Sequence, residues 1–289
     1  MTLLMSVRHH TGFTCEGVAK SSYNEARMTP ITTATQRVHE SRLSVSPLTV
    51  IDTYRDYFGT VVSSFDLQEP HQRLDVEARS FVECEDAMLP NALSWRELMS
   101  EARRDEFAEY LAISARTRVD VEGFSLPELD VTQPSVHDVA EVIADLVRQE
   151  VDYVPGSTTV SSTAREAWVR RQGVCQDLTH VTLGLLRVVG VPARYVSGYL
   201  YPHRAEINGV AVEGQSHAWI EYFCGAWVGL DPTNGLHKTE RHVIVARGRD
   251  YDDVAPLKGV YEGPRSSMLG VVVEMVAHSA EDERVRPSY

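Results

Sequence analysis

Between Gly190 and Pro192 the spacing of apolar residues changes from one period to another. Before that point, "SVHDVAEVIADLVRQEV" and "CQDLTHVTLGLLRVV" set their apolar side chains three and four residues apart, the stripe of an amphipathic helix. After it, "ARYVSGYLY", "SHAWIEYF" and "AWVGLDPT" are rich in β-branched and aromatic residues with a period of two, which reads as strands. A run of helices followed by a run of strands predicts an α+β fold, with helices packed on an antiparallel sheet.

Local signals mark where these helices begin and end. Ser135 and Asp138 form an Asp-containing variant of the capping box, and Thr163 and Glu166 stand in the S/T-x-x-E relation ahead of "AREAWVRRQG". A third helix starts near Cys175, carries Leu178, Val181, Leu185, Leu186 and Val189 on one face, and is stopped by Gly190 and Pro192. Upstream, residues 1–83 read as a β-rich, sandwich-like domain, from the alternation in "QRVHESRLSVSP", "VVSSFDL" and "RLDVEARSFVE". Residues 84–134 form a connecting segment, helical in part at "SWRELMSEARRDEFAEYLAIS" and loop-like around "GFSLPELDVTQP". Residues 135–289 make up the core, ending in a β extension whose last run is "MLGVVVEMVA", 268–277.

A net charge of -13 over 289 residues, with no Lys/Arg cluster, argues against a nucleic-acid partner. No apolar run approaches the ~20 residues of a membrane-spanning helix, and the start "MTLLMSVRHHTGF" lacks the features of a secretory signal. A soluble cytoplasmic protein is expected, with no membrane partner. Cys15, Cys84, Cys175 and Cys224 are widely spaced, so free thiols are expected rather than two disulfides. No CxxC pair is present to suggest zinc.

The position of Cys175 is chemically pointed. It follows a glycine turn and opens a helix, where unpaired N–H groups and the helix dipole favour a thiolate. The alternative is a small buried hydrophobe. A thiolate nucleophile needs an imidazole, itself oriented by a third group. His217 and Asp231 flank a hairpin turn at Cys224-Gly225, and a turn centred on residue 224 would set them directly opposite each other on one face. A turn centred between 224 and 225 would miss that pairing by one residue. Asp177, in the first turn beside Cys175, would oppose thiolate formation; its expected role is to point back and satisfy helix N–H groups.

"RQGVCQDLTHVTLGLLRVVGVPARYVSGYL" followed by "SHAWIEYFCGAWVGLDPTNG" resembles the transglutaminase-like superfamily of papain-type cysteine enzymes, and more narrowly its bacterial two-domain members. "SYNEARMTP", "DYFGTVVSSFDLQEPHQRLDV" and "YVPGST" are similar to the family's N-terminal β domain and its junction, and "RHVIVARGRDYDDVAPLKGVYEG" to its C-terminal signature. The resemblance implies a papain-like core with Cys175, His217 and Asp231 as the catalytic residues. It implies acyl transfer or hydrolysis on a protein or peptide amide through a thioester, without cofactor or metal. It leaves open a peptidase with the same triad and a non-catalytic binding module that keeps the fold. Trp219, two residues after His217, either walls the substrate channel or packs, and Gln176 is a substrate-side candidate by adjacency. Trp168 lies too close to Cys175 to stand for the tryptophan that frames the site in animal transglutaminases. His180 is read as structural, Arg194 as the partner of a buried carboxylate, and Asp250, Asp252 and Asp253 as loop-fixing, since they lack calcium-loop spacing.

Overall fold

The computed structural model describes residues 2–119, 135–202 and 209–278; the loop read at "GFSLPELDVTQP" lies outside the described residues. The N-terminal unit is built from β1 (Thr2–Ala19), β2 (Ser21–Thr29), β3 (Gln36–Ser46), β4 (Ile51–Arg55), β5 (Val61–Leu67) and β6 (His71–Glu85). These strands divide between two sheets that close on a common apolar layer including Met28, Phe65, Leu67, Leu74 and Val76. It is the expected sandwich.

The connecting segment breaks into short helices α1 (Trp95–Leu98), α2 (Glu101–Glu106) and α3 (Ala108–Leu111). Then come α4 (Val136–Glu150), β7 (Asp152–Tyr153), α5 (Ala164–Arg170), β8 (Gln172–Gly173) and α6 (Cys175–Val188). Both predicted capping boxes form. Ser135 Oγ accepts the Asp138 N–H at 3.1 Å while Asp138 Oδ2 accepts the Ser135 N–H at 2.9 Å, and Thr163 and Glu166 repeat the exchange. Helix α6 ends where Gly190 takes φ +90, a conformation that glycine adopts without steric cost.

The sheet that receives α6 is antiparallel, in the order β13-β12-β11-β9-β14. Its strands are β9 (Ala193–Leu200), β11 (Gln215–Phe223), β12 (Trp227–Asp231), β13 (Leu236–His237) and β14 (His242–Gly248), while β10 (Ala211–Glu213) belongs elsewhere. Every residue of α6 from Gln176 to Arg187 is buried, so this helix is the centre of the core. On β11, Ala218, Ile220 and Tyr222 join α6 in one apolar cluster, and Leu3, Met5, Val7, Val82 and Cys84 of β1 and β6 belong to the same cluster. The two units therefore share a core rather than meeting at a wet joint.

After α7 (Tyr251–Val254) the chain leaves the half built around α6. The C-terminal β extension pairs with the N-terminal sheets. β15 (Leu257–Glu262) adds to β2, and β16 (Ser266–Met268) and β17 (Val272–His278) add to β1. β10 then pairs with the outer edge of β17. The reason is burial: Val273, Met275 and Ala277 alternate inward on β17, and β1 offers the edge that buries them. The 1–83 boundary thus marks a segment of chain and not a complete structural unit.

Candidate active site

Cys175 is the first residue of α6, and the extended residue before it, Val174, carries no capping side chain. Asp177 supplies the cap instead. Its Oδ2 accepts the Val174 N–H at 2.8 Å and the Thr158 hydroxyl at 2.6 Å. Burial pushes the Asp177 carboxyl up, against the pull of these hydrogen bonds. A Cβ at residue 173 would lie 2.7 Å from Asp177 Cβ, so only glycine lets the two segments meet. Asp177 is thus held to the backbone behind the helix start, in the role expected of it, and the Cys175 N–H stands among the orphan donors of the first turn.

His217 and Asp231 are both buried, and His217 Nε2–H donates to Asp231 Oδ2 at 2.7 Å. The hairpin does not have the expected register. Phe223 pairs with Trp227 and Ile220 with Leu230, so the turn is centred on Gly225, whose φ of +111 makes it the residue suited to the apex. Asp231 therefore falls opposite the position of Trp219, two residues from His217. Because the strand period is two, that slip keeps both side chains on one face, as diagonal neighbours within reach.

With Nε2 committed to Asp231, the other ring nitrogen, Nδ1, is left for Cys175, which lines the same cleft as the imidazole. Burial by itself pushes the imidazolium down. The hydrogen bonds and negative charge of Asp231 and Cys175 outweigh it, and the His217 pKa is raised to about 10. Burial likewise opposes charge on Asp231, yet hydrogen bonds from His217 and His242 hold its carboxyl well below the usual range. The arrangement is a buried carboxylate, a charged imidazole and a thiol in sequence.

Two supporting residues escaped the sequence reading. His242, at the start of β14, receives the Thr239 N–H on Nδ1 at 3.2 Å and so carries its proton on Nε2, 3.3 Å from Asp231 Oδ2. Burial pushes its pKa down, which keeps it a neutral donor. Asn234 Nδ2 donates to Asp231 Oδ2 at 2.7 Å, and the Thr233 and Asn234 N–H groups donate to Oδ1 at 2.9 and 3.1 Å. "DPTNG" carries the signature of an Asx turn that would have located Asn234. Nothing local announces His242, which arrives from another strand.

The remaining candidates divide clearly. Gln176 lines a cleft of about 230 Å³ together with Cys175 and His217, its amide donating to the Val160 carbonyl at 3.3 Å. Trp219 is fully buried and does not line that cleft; its ring stacks behind His217 at 6.1 Å and meets His242 edge-on. Of the two roles open to it, it takes packing. Trp168 lies under the Arg171 guanidinium at 4.2 Å, away from the cleft lining. His180 accepts the Tyr251 N–H at 3.1 Å and is pushed by burial to about 3, a structural histidine. Arg194 and Arg247 both bind Glu221, at 2.6 and 2.8 Å. Asp250 caps α7, Asp252 pairs with Arg116 and Asp253 with Arg249.

Residues 5–83 match the family model described as the bacterial transglutaminase-like N-terminal region, and residues 127–232 match that of the transglutaminase-like superfamily. The chain is 43% identical over 273 residues to an uncharacterized protein of Mycobacterium leprae, covering 94% of this chain and 98% of that one. It is 31% identical over 290 residues to an uncharacterized protein of Mycobacterium tuberculosis, covering 93% and 91%. Its structure is similar to the crystal structure of a "Putative Cysteine Protease" from Cytophaga hutchinsonii, with a TM-score of 0.76, 20% identity, and coverage of 97% of this chain and 92% of that chain. At that identity the likeness is one of fold.

Proposed function

The chain belongs to the transglutaminase-like superfamily, and on that footing we propose that it is a cysteine enzyme acting on protein or peptide amides. What supports the reading is one observation: a buried His217–Asp231 pair at 2.7 Å holds a positive imidazole beside a thiol that opens a helix. In the first step the Cys175 sulfur, as the thiolate paired with protonated His217, attacks the amide carbonyl carbon; an S–C bond forms and the carbonyl π pair moves onto oxygen. The Cys175 and helix-start N–H groups receive the developing oxyanion. As the C–N bond breaks, the proton on His217 passes to the leaving amine. An amine or water then attacks the thioester, gives its proton to His217 and releases the sulfur. The four free thiols suit a reducing, cytoplasmic setting, and among the described residues no helix is long and apolar enough to cross a membrane.

The test is chemical. At pH 7 a thiol-alkylating reagent labels Cys175 faster than Cys15, Cys84 or Cys224, and incubation with glutamine-containing peptides gives an acyl mass increment on Cys175 that Cys175→Ala lacks. Cys84 and Cys224 are poor competitors, since burial pushes the first up to about 12 and raises the second. Equal labelling of all four thiols would sink the reading. Released ammonia or new amine joins, against newly freed peptide amines, separate transfer and deamidation from proteolysis.

A further inference from the structure

β1 runs between the two apolar clusters of the molecule. Leu3, Met5 and Val7 on its inward face pack in the cluster shared with the catalytic half, and Phe13 packs in the sandwich layer. On the same face, between these groups, stand His9 and Thr11, each 1% exposed. Both line the cleft that holds Cys175 and His217. Among the described residues, His9 Nε2 and Thr11 Oγ1 have no hydrogen-bond partner. An unpaired buried polar group destabilises the fold, whereas an apolar residue at either position would satisfy the alternation without that cost.

The surroundings of His9 fix what it can recognise. The single hydroxyl proton of Tyr199 goes to the Met28 carbonyl at 3.2 Å. His9 Nδ1, 2.9 Å from the same hydroxyl oxygen, must therefore be the donor to it, which leaves Nε2 with a lone pair. Burial, with a smaller push from His10, lowers the His9 pKa to about 4, so at neutral pH that nitrogen is an acceptor. Among the described residues, no Asp, Glu, Lys or Arg lines the cleft. A cationic donor would find no counter-charge there, and a neutral N–H fits.

We propose that His9 and Thr11 are the recognition wall of the catalytic cleft, His9 Nε2 accepting an N–H and Thr11 Oγ1 donating to the carbonyl of an uncharged amide on the acyl donor. This rests on Cys175 being the acylated nucleophile. The N-terminal β unit then completes the cleft, and its two unpaired polar atoms are paired only when substrate is present.

The experiment compares wild-type protein with His9→Phe, Thr11→Val and Thr11→Ser. Each is incubated with a pool of N-acetylated, glutamine-containing hexapeptides, and acyl-enzyme is followed by intact mass. Thiomethylation of Cys175 by methyl methanethiosulfonate, which has no N–H and forms a methyl disulfide with loss of methanesulfinate, reads the thiol and imidazole alone. Losing one substrate hydrogen bond slows acylation roughly three- to tenfold in His9→Phe and in Thr11→Val, with thiomethylation unchanged and Thr11→Ser close to wild type. Thr11→Val also melts at or above the wild-type temperature. If His9→Phe does not fold, the Val/Ser pair at residue 11 decides. Wild-type acylation rates and peptide preference in the valine variant would overturn the recognition role while leaving the reading of Cys175 intact. A wild-type protein that no peptide acylates, with Cys175 no more reactive than Cys15, would overturn both.

Discussion

Asp231 has two carboxylate oxygens, and donors surround both. His217, His242 and Asn234 converge on Oδ2, and two backbone N–H groups on Oδ1. A buried carboxylate satisfied in this way stays charged, and its charge keeps His217 protonated. The consequence is measurable in stability. His217 in the folded protein titrates near 10, against an ordinary value of 6.5. A group whose pKa rises on folding stabilises fully below the unfolded value and loses that contribution as pH climbs through the folded one. The difference in urea unfolding free energy between wild type and His217→Gln should therefore be largest at and below about pH 6.5 and shrink toward pH 10. Asp231, titrating far lower, does not change across this window. A difference that stays flat to pH 10.5 would contradict a charged imidazole in the folded state.

At the scale of elements, α6 has to place its first residue at a cleft while nearly all of the rest is buried. That demands a helix start without a side-chain cap of its own, and Asp177 reaches back to supply one. Gly173 makes the approach possible. In Gly173→Ala the new methyl meets Asp177 at 2.7 Å and displaces it. The expected cost is about 1–3 kcal/mol, together with slower alkylation of Cys175, because the helix start shifts with its cap. Thermal denaturation and thiol kinetics on one preparation check both. A variant of wild-type stability and reactivity would show that the turn has room to relax. The hairpin β11–β12 makes a related point: its register follows from the single residue suited to φ +111 at the apex, Gly225.

For the molecule as a whole, the C-terminal strand is part of the N-terminal architecture. β17 lies between β1 and β10, and its inward residue Met275 is fully buried in the cluster that also holds α6. The two halves should unfold together. Met275→Ala removes packing worth about 2–5 kcal/mol, and the lost stability should lower the urea midpoint seen by tryptophan fluorescence and by far-UV circular dichroism equally. All four tryptophans, Trp95, Trp168, Trp219 and Trp227, lie outside the N-terminal strands, so the first probe follows the other half. Separate midpoints would mean two independent units.

The chain by itself determined what is written within one or two turns of backbone. Capping pairs at Ser135 and Thr163, the helix opening at Cys175, the stop at Gly190 and the shared face of His217 and Asp231 all depend on neighbours a few residues away, or on a period that a two-residue slip preserves. His9 and Thr11 hid β1 from an alternation reading, because polar side chains occupy inward positions there. Tertiary structure alone decided the return of β17 to β1, the approach of His242 to Asp231, and the meeting of His9 with the cleft. Each brings together groups separated by long stretches of chain, where partners are selected by burial of whole faces and no local pattern records the choice.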